Sequence, residues 1–299
     1  MTFLPKKEIL TLEEIHTICQ AFTELGVNKI RITGGEPLVR SNVSSLFHSV
    51  GQLPGLNELL LTTNGSRLTL LSSELKKAGI SRINVSLDSL NKDKFHEITR
   101  TGDLDTVIAG IDAAKAAGIE RIKINSVILK GRNDDEILPL IEFIRERGLD
   151  ISFIEEMPLG VISEHNRANT FMPSAEIRTI ISKLYPLEAI ADKTGGPSRY
   201  YKMADSECRI GFISPHSENF CSTCNRVRVT VEGRLLLCLG NEHSVDLKAV
   251  MREEYNDEKQ RLNVLKETII DAMNIKPERH HFDLDDEPQV LRFMNTTGG

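Results

Sequence analysis

The chain has 299 residues, is 40% hydrophobic and 27% charged, and carries a formal net charge of −6. That is the composition of a soluble globular protein long enough to bury one large core or two smaller ones. The acid excess argues against general nucleic-acid binding, which needs a basic footprint. The absence of any run near ~20 apolar residues argues against a membrane span, and no apolar leader or low-complexity tract stands out.

In chain order, helices and strands alternate. Thr11-Leu-Glu-Glu14 is a capping box; Ile15, Ile18, Cys19, Phe22 and Leu25 then recur at helical spacing until Gly26 ends the helix. Cys19 lies on the apolar face and reads as core. A strand at 28–33 runs into Gly34-Gly35-Glu36-Pro37. A strand at 58–63 ends in Asn64-Gly65, and a helix near 69–78 stops at Gly79. A strand at 82–88 precedes helices near 91–99 and 105–117. A strand at 121–128 leads to a helix near 134–147, which Pro139, set deep inside it, is expected to bend. A strand at 150–155 closes the series at Glu156-Met157-Pro158.

Five strands alternating with helices predict right-handed crossovers and a parallel sheet. Their C-terminal ends are polar: Thr33 to Glu36, Thr62 to Asn64, Ser86 to Asp88, Asn125-Ser126, and Glu156-Met157. In a parallel sheet or βα barrel such ends share one ligand-facing rim. The same residue types also start ordinary turns; five such ends together favour the ligand reading. Gly195-Gly196-Pro197 marks a boundary or long loop. From about 165 onward the pattern predicts a helix near 174–185, short strands near 199–203 and 209–214, a cysteine-bearing hairpin, and helices near 245–253 and 257–273. His280-His281 and the acidic run 283–287 read as solvated surface, and Gly298-Gly299 as a disordered end.

Three of the five cysteines fall in Cys221-Ser-Thr-Cys224 and Cys238. Cys-x-x-Cys spacing lets two soft thiolates reach one metal centre. The intervening run, with Glu232-Gly233 at its middle, alternates like a hairpin that returns Cys238 to the other two. A structural zinc would need a fourth ligand, for which Cys208, His216 and His243 are candidates. An iron–sulfur cluster on three cysteines would instead leave one iron open to substrate. Spacing does not choose between them, and buried free thiols are the bland alternative. Clustered cysteines fit metal chemistry in a reducing compartment better than a disulfide framework. Arg226 and Arg228 alternate on one predicted strand and so share a face. They suit a carboxylate or polyphosphate, or are simply solvated.

Taken together, Thr33-Gly-Gly-Glu-Pro37, Leu61-Thr-Thr-Asn-Gly65, Asn84-Val-Ser-Leu-Asp88, Glu155-Glu-Met-Pro158, Cys221-x-x-Cys224-Asn-Arg-Val-Arg228 with Cys238, and the Gly-Gly end closely resemble one family. It is the GTP 3′,8-cyclase family (molybdenum cofactor biosynthesis protein A) of the radical S-adenosylmethionine superfamily. The resemblance runs from about residue 3 to the last residue. It implies a partial βα, TIM-like barrel over 1–164 and a C-terminal α+β auxiliary-cluster and GTP-binding region over 165–299. It implies conversion of GTP to (8S)-3′,8-cyclo-7,8-dihydroguanosine 5′-triphosphate, in which a 5′-deoxyadenosyl radical takes hydrogen from C3′ and C3′ bonds to C8.

Carried over residue by residue, the resemblance assigns Cys221, Cys224 and Cys238 to a second [4Fe–4S] cluster, which favours iron–sulfur over zinc. It assigns Gly35, Ser86 and Met157 to S-adenosylmethionine, and Arg31, Thr62, Lys123, Arg226 and Arg228 to GTP. It brings Gly298 and Gly299 toward the active site. It implies a homodimer, a cytoplasmic or organellar-matrix setting, and cyclic pyranopterin monophosphate synthase as pathway partner. Neither nucleic acid nor membrane is expected as a partner.

The chain departs from the family at one point: the superfamily's Cys-x₃-Cys-x₂-Cys motif occurs nowhere in the 299 residues. Cys19 and Cys208 are isolated and cannot replace it. The expectation is therefore a barrel lacking its first strand and cluster loop, with the strand at 28–33 left as an open edge. Such a chain alone would not start the radical reaction, while its auxiliary cluster and GTP sites remain. The alternative is a non-catalytic metal- and nucleotide-binding remnant. A radical S-adenosylmethionine enzyme acting on a peptide is disfavoured by the arginine pair and the Gly-Gly end.

Overall fold

The computed structural model describes residues 4–160, 166–192, 194–280, 282 and 290–292. Helix α1 (Leu12–Glu24) starts on the expected capping box: Thr11 N–H donates to Glu14 Oε2 at 2.7 Å and Glu14 N–H to Thr11 Oγ1 at 3.1 Å. Gly26 follows in the left-handed region, φ 94°, where a side chain would be strained. Strand β1 (Lys29–Ile32) leads to α2 (Val43–Gly51), β2 (Glu58–Thr63), α3 (Leu68–Lys77) and β3 (Ile80–Ser86). Then come α4 (Lys92–Thr99), α5 (Leu104–Ala116), β4 (Arg121–Val127), α6 (Ile137–Arg147) and β5 (Asp150–Ile154). Helices α7 (Arg167–Thr170) and α8 (Ser174–Ser182) precede β6 (Leu187–Ala189), β7 (Arg199–Met203) and β8 (Arg209–Ile213).

These eight strands form one sheet in the order β1-β2-β3-β4-β5-β8-β7-β6. β1 through β5 and then β8 are parallel, and β7 and β6 run antiparallel at the far end. β1 is an edge strand, pairing only with β2 among the described strands. The sheet continues past residue 164, because β8 supplies a sixth parallel strand from the segment read as the C-terminal region.

Alternation along the strands sorts side chains by face. Leu59, Leu61, Ile83, Val85, Ile122, Ile124, Ile151 and Phe153 point to the helices and form the main core. Phe153 stacks on Phe212 of β8 with ring centroids 6.0 Å apart.

The hairpin is shorter than its alternation predicts. β9 (Arg228–Val229) and β10 (Arg234–Leu236) pair antiparallel around the Thr230–Gly233 turn, and β11 (Ser244–Asp246) adds a third strand. Helices α9 (Leu247–Arg252) and α10 (Glu258–Asn274) cover it. A second core joins Leu235, Leu237, Leu247 and Leu265 to Ile18, Ala21 and Phe22 of α1. Thus α1 faces two cores, with Cys19 in the first. Arg252 pins this layer by donating to Glu14 at 2.7 Å and to the Lys7 carbonyl at 2.8 Å.

Three expectations need correction. Pro139 does not bend a long helix: residues 134–136 form a separate 3-10 turn, so Pro139 is the third residue of α6, where a helix needs no N–H. Helix α2 was not anticipated, although Val43, Leu46, Phe47 and Val50 carry helical spacing and are all buried. Strands β6 and β11 were also not anticipated; three residues are too few to show a period. Among the described residues no helix is long and apolar enough to cross a membrane.

Candidate active site

The second face of the sheet is polar and rich in cations. Register places Arg31 beside Leu60 and Leu60 beside Arg82, Thr62 beside Asn84 and Asn84 beside Lys123. It also places Ser86 beside Asn125, Asn125 beside Ser152, and Ser152 beside Gly211. Laterally paired residues point the same way, so these side chains share one interior. Arg31 Nη1 donates to the Leu61 carbonyl at 3.0 Å and to Thr62 Oγ1 at 3.2 Å. Lys123 Nζ donates to Ser152 Oγ at 3.0 Å and lies 5.9 Å from the centre of the Tyr200 ring. Gly211 is required here: a Cβ would come within 2.1 Å of Ser198 Oγ and 2.7 Å of Ser152 Oγ.

The electrostatics are those of crowded cations. Burial, then Arg82 and Arg228, push Arg31 down to about 10 against the opposing pull of Tyr200 and Glu58. Burial, with Arg31 and Arg82, also lowers Lys123, although Tyr200 opposes the shift. Burial would raise the Tyr200 phenol, but Lys123, hydrogen bonds from Thr194 and Ser198, and Arg82 outweigh it and hold it below the ordinary value.

Gly35, Ser86 and Met157 lie at or just past the C-terminal ends of β1, β3 and β5, on the expected rim. Ser86 is exposed there, and Met157 is half-buried. Glu36 braces the rim, accepting from Thr63 Oγ1 at 2.9 Å, Asn64 N at 2.6 Å and Leu38 N at 2.9 Å. Glu155, 1% exposed, takes Ser174 N at 3.0 Å and His216 N and Ser217 N at 3.1 Å. It thereby ties the end of β5 to the segment leading into the cysteines. Val290 bridges to Leu159, and Leu291 N donates to Glu242 at 2.9 Å, so the described tail returns to the same rim. Gly298 and Gly299 lie outside the described residues.

Cys221 opens a 3-10 turn and Cys224 closes it, with Cys224 N donating to the Cys221 carbonyl at 3.0 Å. Cys238 follows β10, and all three thiols are free and half-buried. They are close enough to act on one another: burial raises Cys238, the neighbouring Cys221 and Cys224 raise it further, and Lys276 lowers it. Burial opposes ionisation of Cys224, but hydrogen bonding and charge from Arg226, with Lys276, bring it below the ordinary thiol value. Arg226 precedes β9, so strand alternation does not set its direction; its guanidinium lies 5.2 Å from the centre of the Phe220 ring. Arg228 is lowered to about 10 by burial and Arg226, while Cys224 and Cys238 pull it back up. The same Arg228 also acts on Arg31, so its charge couples to the barrel cations as well as to the thiols.

Among the described residues no three His, Cys, Asp or Glu groups converge on a single ion. Two of the three fourth ligands considered for zinc, Cys208 and His216, are engaged elsewhere, and for His243 only a backbone contact is seen. Cys208 is buried and donates to the Ile144 carbonyl at 3.4 Å, and His216 Nε2 lies 2.9 Å from the Glu156 carbonyl oxygen. His243 N donates to Asn241 Oδ1 at 2.7 Å. His280, read as surface, is half-buried against Phe282 with ring centroids 4.0 Å apart, beside Gly240. His281 and the 283–287 run lie outside the described residues.

Two contributors carry no assignment from sequence, Arg82 and Lys276, and Glu155 was read only as part of the Glu155-Glu-Met-Pro158 motif. Arg82 carried the one available signal, an alternation Arg82, Asn84, Ser86 interleaved with the apolar Ile83 and Val85. Lys276 Nζ donates to the Arg226 carbonyl at 3.0 Å and to the Leu237 carbonyl, joining the two cysteine-bearing segments. Nothing local in sequence marks that contact.

Residues 2–144 match the Radical SAM superfamily, and residues 149–282 match Molybdenum Cofactor Synthesis C. A GTP 3′,8-cyclase of Marinobacter nauticus is 58% identical across all of this chain and 89% of the relative. One of Pseudomonas fluorescens is 58% identical with the same coverage. Streptococcus suis SuiB bound to S-adenosylmethionine superimposes with a TM-score of 0.58 at 14% identity, covering 96% of this chain and 70% of that one, a likeness of fold.

Proposed function

Because the chain belongs to the GTP 3′,8-cyclase family of radical S-adenosylmethionine enzymes, which serves molybdenum cofactor biosynthesis, we propose that its two polar regions divide that reaction between them. Residues 1–164 present S-adenosylmethionine at the rim through Gly35, Ser86 and Met157. Residues 165–299 hold a [4Fe–4S] cluster on Cys221, Cys224 and Cys238, and GTP lies between, on Arg31, Thr62, Lys123, Arg226 and Arg228. The carrying observation is the position of Arg228, in electrostatic reach of Arg31 on one side and of Cys224 and Cys238 on the other.

The donor chemistry suits the cluster, although among the described residues the three thiols do not converge as a single-ion site. Three half-buried thiols, one held below its ordinary value by Arg226 and Lys276, are soft anionic ligands. When bound, a three-thiolate cluster supplies an open iron for a substrate donor atom. The protein's own contribution is positional. Arg31 and Lys123 neutralise phosphate oxygens inside the barrel, Thr62 and Ser152 fix the directions of those cations, and Glu155 holds β5 against the segment leading to the thiols.

The donor set for the electron-delivering cluster does not fit. The remaining cysteines, Cys19 and Cys208, are buried in the apolar core, and burial raises the Cys19 thiol to about 12. Among the described residues, neither of these cysteines is placed to ligate such a cluster. That observation also favours the second reading, a metal- and nucleotide-binding module without turnover. The thiols suit a reducing compartment such as the cytoplasm. A homodimer and the partner cyclic pyranopterin monophosphate synthase rest on family kinship alone.

The test is to purify the chain without oxygen, reconstitute it with iron and sulfide, and count metal. About four irons per chain, lost in Cys221→Ser, is the expected result. No iron, or zinc in its place, overturns the cluster assignment.

A further inference from the structure

Arg82 lies on β3, two residues before Asn84, on the polar face of the sheet. Only 7% of the residue is exposed, yet its Nε makes no hydrogen bond among the described residues. Asn84 Oδ1 and Asn125 Oδ1, on the same face, are buried and unpartnered too. Buried polar atoms are nearly always satisfied, so three orphans on one face mark a place where something else is bound.

The charges around Arg82 say what that is. Arg31, Lys123, Arg121 and Arg209 all act on Arg82 or are acted on by it, and all are cations. The carboxylates nearby are already committed: Glu58 to Lys29 at 2.6 Å and Asp150 to Arg209 at 2.5 Å. Tyr200 is the remaining opposite partner, and it is shared with Lys123. A buried cation without its own anion is costly to the fold. Three of them converging on one interior form a site for a ligand with several negative oxygens.

We propose that Arg82 is a substrate-binding residue, completing with Arg31 and Lys123 a three-cation seat for a polyphosphate chain. This rests on the GTP reading for the identity of the nucleotide, but not for the anion. Arg82 offers a planar fork that lysine cannot copy, so its replacement by lysine restores charge and only part of the binding.

The test uses the full reconstituted chain and three probes: inorganic tripolyphosphate, GTP and guanosine, titrated into wild type, Arg82→Met and Arg82→Lys. Arg82→Met is expected to weaken tripolyphosphate and GTP by about 10- to 100-fold while leaving guanosine unchanged. Arg82→Lys recovers part of that loss. The same Arg82→Met variant is expected to melt at a higher temperature without ligand, because an unpaired buried cation is gone. A structural arginine would do the reverse, lowering the melting temperature and weakening all three probes alike, and that result overturns the proposal. Wild type that fails to bind tripolyphosphate also overturns it. If tripolyphosphate binds through Arg82 but GTP binds no tighter than tripolyphosphate, the seat stands and the GTP reading falls.

Discussion

The two faces of one sheet behave as two different materials. On β3 the residues Ile83 and Val85 are fully buried among aliphatic side chains, while Arg82 and Asn84, which alternate with them, are buried with atoms unpartnered. The same alternation recurs on β4, where Ile122 and Ile124 flank Lys123, and on β5, where Ile151 and Phe153 flank Ser152. The helix-facing side gains free energy by leaving water, at roughly 25 cal/mol per Å² of apolar area. The inner side gives some of it back by removing cations from water without anions. Stability is therefore concentrated on one face and binding capacity on the other, a separation that a half-polar strand makes possible.

That contrast can be broken most severely from the apolar side. Phe153→Ala removes a fully buried ring stacked on Phe212 and is expected to cost about 3–5 kcal/mol, read as a large fall in denaturant midpoint at unchanged slope. An unchanged midpoint would mean that this face is not where stability resides.

A change of intermediate size comes from the rim. Burial raises the Asp88 carboxyl to about 6, although a hydrogen bond from Val127 N at 2.8 Å opposes the shift. The folded state thus binds its proton more tightly than the unfolded chain does. Stability from this group is present below the ordinary carboxylate value and is lost as pH rises from about 4 to about 6. Asp88→Asn keeps an oxygen for Val127 and should flatten that decline, a difference of about 3 kcal/mol above pH 6. Parallel pH–stability curves for the two proteins would refute it.

The smallest effect calibrates the others. Thr11→Ala removes one half of the α1 capping box, on neither face of the sheet, and is expected to cost about 1 kcal/mol. A loss as large as that of Phe153→Ala would show that α1, shared by both cores, governs the stability of the whole chain.

Much of this was legible in sequence because it is local. Thr11 and Glu14 are three residues apart, and Glu232-Gly233 sits within the turn it was read to make. The strands of the βα series declare themselves by short apolar runs ending in Gly, Asn and Ser. Helix α2 is equally legible by spacing, since Val43, Leu46, Phe47 and Val50 fall on one helical face. Pro139 was misjudged because the length of a helix was taken from its apolar residues, while its start is set by backbone hydrogen bonds.

The sequence by itself determined the alternation of elements, the cap, the turn, and the chemical class of each candidate side chain, since each depends on residues a few positions apart. Only the tertiary structure decided which of those side chains meet. Lys276 reaches across 39 residues to the Leu237 carbonyl and Glu155 across 61 to His216 N, and β8 joins β5 as a sixth parallel strand. Arg82 is the sharpest case: its identity was always visible, but that it is buried with its Nε unpartnered depends on what the rest of the chain places around it. Burial and charge balance are sums over neighbours in space, and no local pattern contains them.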